Sequence, residues 1–106
     1  MKGLGKLSKT EMEVMEEIWK IDDPVTVAQL MDIFSSKDWK TSTLSTILKR
    51  LIDKGFLTKS MEGKVNFYYI TLTLEDYKKY ETKKLLNRLY NGNIKSFIST
   101  MVDDDG

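Results

Sequence analysis

The stretch Thr41-Ser42-Thr43-Leu44-Ser45-Thr46-Ile47-Leu48-Lys49-Arg50-Leu51-Ile52-Asp53-Lys54-Gly55 decides how the chain is read. Leu44, Ile47, Leu48 and Leu51 recur at i, i+3, i+4 and i+7, the stripe of an amphipathic α-helix. At about 100° per residue, Ser42, Thr46, Lys49 and Asp53 point away from that stripe, flanked by Thr43, Ser45 and Arg50. Gly55 stands where a C-capping glycine belongs. A face of short hydroxyls followed by cations can approach base edges and meet phosphates, so the spacing predicts a DNA-recognition helix. A merely solvated helix surface has the same composition, and its neighbours must decide between the two.

Upstream, Leu7-Ser8-Lys9-Thr10-Glu11-Met12 reads as a helix start, with Ser8 and Glu11 spaced as a capping box and Leu7 and Met12 as a hydrophobic staple. The helix should bury Val14, Met15, Ile18 and Trp19 and end near Ile21, before the breaker Asp22-Asp23-Pro24. Val25 reads as a short extended residue, and Thr26 with Gln29 forms a second capping box. That opens a helix with Val27, Leu30, Met31 and Phe34 inward, stopping in Ser35-Ser36-Lys37-Asp38. The connection to the third helix is longer than a minimal helix-turn-helix uses, which suits a winged variant.

Downstream of Gly55 the period becomes that of a strand. Phe56–Ser60 and Val65–Thr71 are rich in β-branched and aromatic residues, and Met61-Glu62-Gly63-Lys64 supplies the turn. Leu57, Phe67 and Tyr69 share an alternation and are expected to face the helices, with Lys59, Lys64 and Asn66 reaching past the sheet. A fourth helix is expected from Thr73 to about Tyr90, acidic at its start and basic later, as the macrodipole favours. After Asn91-Gly92-Asn93, a further stripe of Ile94, Phe97, Ile98 and Met101 needs a covering surface. It closes either the chain's own core or a second subunit. The fold class is therefore mainly α with a small β-hairpin: a winged helix-turn-helix domain over 1–72 and a helical dimerisation arm over 73–106.

Composition narrows the function. The chain has 106 residues, no Cys and no His, so it lacks disulfides, thiolate metal sites and the commonest general base. No nucleophile elbow, phosphate loop or paired-carboxylate arrangement is present, so no enzyme and no cofactor is expected. The net charge is +1, yet residues 9–23 carry a net −4 and residues 37–64 a net +4, a segregation that sets a basic face against acidic helices. No signal-peptide pattern precedes the domain, and no apolar run approaches the ~20 residues of a membrane span. A cytoplasmic location, with no membrane partner, is the expectation.

With this order in place, the residues themselves resemble one family: the penicillinase and methicillin-resistance repressors, grouped with the copper-transport repressors. The resemblance is carried by Ser8-x-x-Glu11-x-x-Val14-Met15-x-x-Ile18-Trp19, by Asp38-Trp39, and by Thr43-Leu44-Ser45-Thr46-Ile47-Leu48-Lys49-Arg50-Leu51. Phe67-Tyr68-Tyr69 and Leu86-Asn87-Arg88-Leu89-Tyr90-Asn91-Gly92 extend it. It implies a bacterial transcriptional repressor that binds a palindromic operator as a homodimer, its third helix in the major groove. Ser42, Thr43 and Thr46 match family positions facing the groove and Arg50 matches a family Arg, whereas Ser45 replaces a larger polar or basic residue. Lacking Cys, the chain lacks the copper branch's metal pair. Against the beta-lactam branch its arm reads as C-terminally shortened, which leaves regulation by a protease or another signal protein open.

The expected roles follow. Ser42, Thr43, Ser45, Thr46 and Arg50 read bases; Lys40, Lys49, Lys59 and Lys64 neutralise phosphates; Leu85, Leu89, Ile94, Phe97, Ile98 and Met101 form the dimer contact. Arg50 could instead hold a phosphate or an acid of the first helix, and Lys59 and Lys64 could merely guard a strand edge. The reading of another class is a winged-helix protein-interaction module with no nucleic-acid partner. Trp19 and Trp39 are expected to pack rather than stack on bases.

Overall fold

Ser8 opens the first helix as its spacing predicts. Its hydroxyl accepts the Glu11 N–H at 3.2 Å, and its own N–H donates to Glu11 Oε1 at 2.8 Å. This closed box satisfies donors that a helix start leaves open. Helix α1 (Lys9–Lys20) follows and buries Val14, Met15 and Ile18. The chain is described here from a computed structural model over residues 5–21 and 23–90. Thr26 and Gln29 repeat the same box at the head of α2 (Val27–Ile33), which contributes Leu30 to the core.

One 3-10 turn, Ser35–Lys37, and a left-handed Asp38 at φ 56° carry the chain round to the next helix. Asp tolerates that conformation better than most residues. Here the Trp39 ring lies 5.1 Å from that of buried Phe34, so Trp39 packs the turn. Helix α3 (Thr41–Asp53) then buries Leu44, Ile47, Leu48 and Leu51. Its end is a Schellman motif: Gly55 at φ 92° donates to Ile52 O at 3.0 Å, and Phe56 donates to Leu51 O at 2.9 Å. Fully buried Phe56 reaches the Trp19 ring at 6.5 Å, while the Trp19 Nε1–H donates to Leu72 O at 2.9 Å.

The hairpin differs from the expected one in two ways. Strands β1 (Leu57–Glu62) and β2 (Val65–Ile70) pair antiparallel with Leu57 opposite Ile70 and Glu62 opposite Val65. Met61 and Glu62 therefore belong to β1, and the turn is only Gly63-Lys64. Gly63 at φ 64° takes the first central position, the pattern of a type II′ turn, whose twist matches that of the strands. The second correction concerns the pleat. Cross-strand partners share a face, so this register puts Leu57, Lys59 and Tyr68 on one side and Phe67 and Tyr69 on the other. Tyr68 is buried, whereas Phe67 and Tyr69 are half-exposed.

Val25 holds that register. Its N–H donates to Tyr68 O at 2.9 Å and its carbonyl accepts the Tyr68 N–H at 2.8 Å, while Asp23 Oδ1 accepts the Ile70 N–H at 3.0 Å.

The chain divides into two compact units, Met1–Thr73 and Leu74–Gly106. In the second, α4 (Leu74–Tyr90) has Glu75 and Asp76 in its first turn and Arg88 in its last. No residue of α4 is buried, and Leu85 and Leu89 are 43% and 60% exposed. The expected stripe of Ile94, Phe97, Ile98 and Met101 lies outside the described residues.

Candidate nucleic-acid interface

The basic segment separates into paired and unpaired cations once it is folded. Lys54, just past α3, places Nζ 2.5 Å from Glu11 Oε1 and 2.7 Å from Lys6 O. Burial pushes the Glu11 carboxyl up, but the Lys54 ammonium and the Ser8 N–H outweigh it and hold that group below the ordinary carboxylate range. Lys37 pairs with Glu13 at 2.9 Å. Lys40, Lys49, Arg50, Lys59 and Lys64 are all exposed, and none forms an ion pair among the described residues. Of the readings open for Arg50, pairing with an acid of α1 is thus not the one adopted.

Helix α3 presents the expected outward set. Ser42, Thr43, Ser45, Thr46, Lys49 and Arg50 are exposed because the apolar stripe fixes the helix's rotation against the core. Thr46 donates its hydroxyl to Ser42 O at 2.9 Å. Toward a ligand it therefore offers oxygen lone pairs and a methyl group, chemistry suited to a base donor or a thymine methyl.

Between α3 and the hairpin lies a cleft of about 560 Å³. Ser45, Lys49 and Asp53 line it from α3, and Thr58, Lys59 and Asn66 from the strands. The fold thus brings Lys49 and Lys59 to one site; Lys40 and Lys64 lie outside its lining. Buried Tyr68 also lines the cleft, and burial raises the pKa of its hydroxyl. Spacing alone gives Thr58 no site role and places Asn66 only as reaching past the sheet, whereas the fold sets it, half-buried, in the cleft wall. A signal existed for Asn66: it is the one amide in a strand otherwise built of Val, Phe, Tyr and Ile. No described helix is long and apolar enough to cross a membrane.

Known proteins share both the sequence and this arrangement. The Penicillinase repressor family matches residues 7–106. A penicillinase repressor of Bacillus licheniformis is 33% identical over 105 residues, covering 99% of this chain and 82% of that protein. The methicillin resistance regulatory protein MecI of Staphylococcus aureus is 29% identical over 100 residues, covering 94% and 81%. Among solved structures, the DNA-binding domain of the repressor BlaI superposes with a TM-score of 0.61 at 35% identity, over 73% of this chain and 94% of that one. Monomeric BlaI of Bacillus licheniformis, solved in complex with the blaP half-operator, gives 0.58 at 35% identity with the same coverage. The winged helix of this chain is thus a shared fold, and the chain belongs to the penicillinase repressor family, whose members are transcriptional repressors and not enzymes.

Proposed function

We propose that this chain represses transcription by binding a palindromic operator as a homodimer. The observation that carries the reading is the set of exposed cations, without an ion pair among the described residues, that flanks the hydroxyl face of α3. The BlaI complex with a half-operator supports it, since that protein shares the fold and is 35% identical over 73% of this chain.

On this reading residues 1–72 bind DNA, with α3 in the major groove. Ser42, Thr43, Ser45, Thr46 and Arg50 meet base edges; Lys40, Lys49, Lys59 and Lys64 meet phosphates and release counterions. Arg50 at a guanine is the largest discriminating contact, roughly 1–3 kcal/mol if bidentate. Residues 73–106 act as the dimerisation arm, through Leu85 and Leu89 of α4 and the stripe Ile94, Phe97, Ile98 and Met101. A helix with no buried residue and three exposed leucines, Leu74, Leu85 and Leu89, is one that a second copy would complete. A cytoplasmic location goes with this role. Two subunits on one palindrome add their contacts, so the dimer sets occupancy.

Sedimentation of the full chain with and without a palindromic duplex tests both halves together. The expected result is a dimer that binds one duplex. A monomer that binds half-sites independently overturns the homodimer, and a chain that retards no duplex at low salt overturns DNA binding and favours a protein-interaction module.

A further inference from the structure

One side of α4 gathers cations without a counter-charge. Glu75, Lys78, Lys79, Thr82, Lys83 and Leu86 line a groove of about 380 Å³ along that helix. Their spacing by three and four keeps them on one face over about three turns. Lys78, Lys79 and Lys83 are exposed, and none of them enters an ion pair among the described residues. Lys84 and Glu81 lie 3.9 Å apart as a pair, and neither lines the groove. Like charges one turn apart, as at Lys79 and Lys83, repel and weaken a helix. Glu75, at the head of the groove, sets one carboxylate against three ammonium groups. The lysine stems between them give the groove an apolar floor under its charged rim.

We propose that the acidic segment Asp103-Asp104-Asp105 of the same chain docks along this groove and neutralises Lys78, Lys79 and Lys83. The segment lies outside the described residues, and charge, length and placement assign it to the groove. It is the one run of three consecutive acids in the sequence, and it meets three lysines that need a counter-charge. The chain is also long enough. At the helical rise, Lys83 and Lys78 stand about 10 and 18 Å before Tyr90 along α4. A path back along the helix at the same rise covers about 15 Å between Asn93 and Asp103, which brings the acids level with the lysines. Segment and helix belong to one compact unit, Leu74–Gly106. Glu75 repels the incoming carboxylates at the head of the groove, so they centre on Lys79 and Lys83. Lys37 and Lys54 are already held by acids of α1. The tail does the same for the cations of α4, and leaves those of α3 and the hairpin to an anion from outside.

The test applies a zero-length carbodiimide, which condenses a carboxylate with an amine in contact with it, to the full-length chain at low salt. Cross-linked peptides are mapped by mass spectrometry, and an equal mixture of nitrogen-14 and nitrogen-15 chains separates links within one copy from links between two. Links from Asp103, Asp104 or Asp105 to Lys78, Lys79 or Lys83 should exceed those to Lys84, an exposed lysine of the same helix outside the groove, by about tenfold. They should fall within one copy and fade in about 0.5 M salt. The lysine side-chain resonances give a second reading. The triple variant Asp103→Asn, Asp104→Asn, Asp105→Asn should shift those of Lys78, Lys79 and Lys83 and leave Lys59 and Lys64 unmoved. Links spread evenly over Lys84 and the groove lysines overturn the docking, as do groove lysines that ignore the loss of the aspartates; the groove is then left to an acidic partner from outside. Links found only between differently labelled copies overturn the same-chain assignment and make groove and tail a contact between two copies. The wild-type cross-links decide the matter even where the variant fails to fold.

Discussion

Lys49 and Lys54 stand five residues apart at one end of α3 and meet opposite fates. Lys54 turns into the corner where α1 begins, against buried Glu11 and the carbonyl of Lys6. Lys49 turns into the open cleft beside the hairpin and has no anionic partner among the described residues. Their charges are identical in sequence, but only one remains available to an outside ligand. The corner builds the helix's platform, and the cleft leaves a charge to be neutralised from without. In this molecule the acids of α1 select which cations those are.

The largest effect should come from opening the closed corner. Glu11→Gln removes the partner of Lys54 and weakens the reciprocal cap of α1. Losing one partner of a fully buried ion pair costs about 3–5 kcal/mol, and Lys54 is partly exposed, so about 2–3 kcal/mol is expected in urea unfolding at neutral pH. Duplex affinity per folded molecule should barely change. The pH dependence has a definite sign. Glu11 is held below its ordinary value of 4.5, so its contribution is complete above that pH and is lost as pH falls through the folded value. Wild-type and variant stabilities should therefore converge in acid. Curves that stay parallel would show that the corner does not hold Glu11 ionised.

Arg50→Ala probes the other region at its most discriminating point. Arg50 is exposed and forms no ion pair with an acid of α1, so its removal should leave the unfolding free energy within about 0.5 kcal/mol of wild type. Against a preferred duplex it should lose about 2 kcal/mol, and against random duplex much less. Equal losses on both would move Arg50 from base to phosphate. Lys64→Ala, at the hairpin tip, should do what Arg50→Ala does not. It weakens all sequences alike, by under about 1 kcal/mol, and reduces the salt slope by about one.

The difference between corner and cleft also marks where sequence reading stopped. Spacing alone was enough for α3, because four leucine-type residues at helical period admit one rotation against a core. Both capping boxes were legible for a similar reason, being local patterns closed within three residues. The pleat of β2 was not legible. Val65–Ile70 carries large apolar or aromatic residues on both faces, so alternation could not choose between Tyr68 and its neighbours Phe67 and Tyr69. The choice is made by the two-residue turn and by Val25, a partner some forty residues away. The pairing of Lys37 and Lys54 was hidden likewise, since it joins residues far apart in the chain. The exposure of Ser42, Thr43, Ser45, Thr46 and Arg50 followed directly from the stripe. The cleft, with Thr58 and Asn66 in its wall, needed the register and could not be read before it.

The smallest effect is the sharpest control, because Lys37 and Lys64 are both exposed lysines in one basic segment and differ chiefly in their partners. Lys37 lies 2.9 Å from Glu13, each side chain more than a third exposed. Pairs of this kind contribute about 0.2–1 kcal/mol because water screens them and ordering two long side chains opposes them. Lys37→Ala should therefore move Tm slightly and leave the slope of duplex affinity against salt unchanged. A charge already neutralised within the protein displaces few counterions from DNA, whereas an unpaired one displaces about one. Slopes for Lys37→Ala, Lys64→Ala and wild type, measured on one duplex, would decide the matter. If Lys37→Ala flattens the slope as much as Lys64→Ala does, pairing with α1 does not remove a lysine from the DNA-facing charge, and the contrast between the two regions fails.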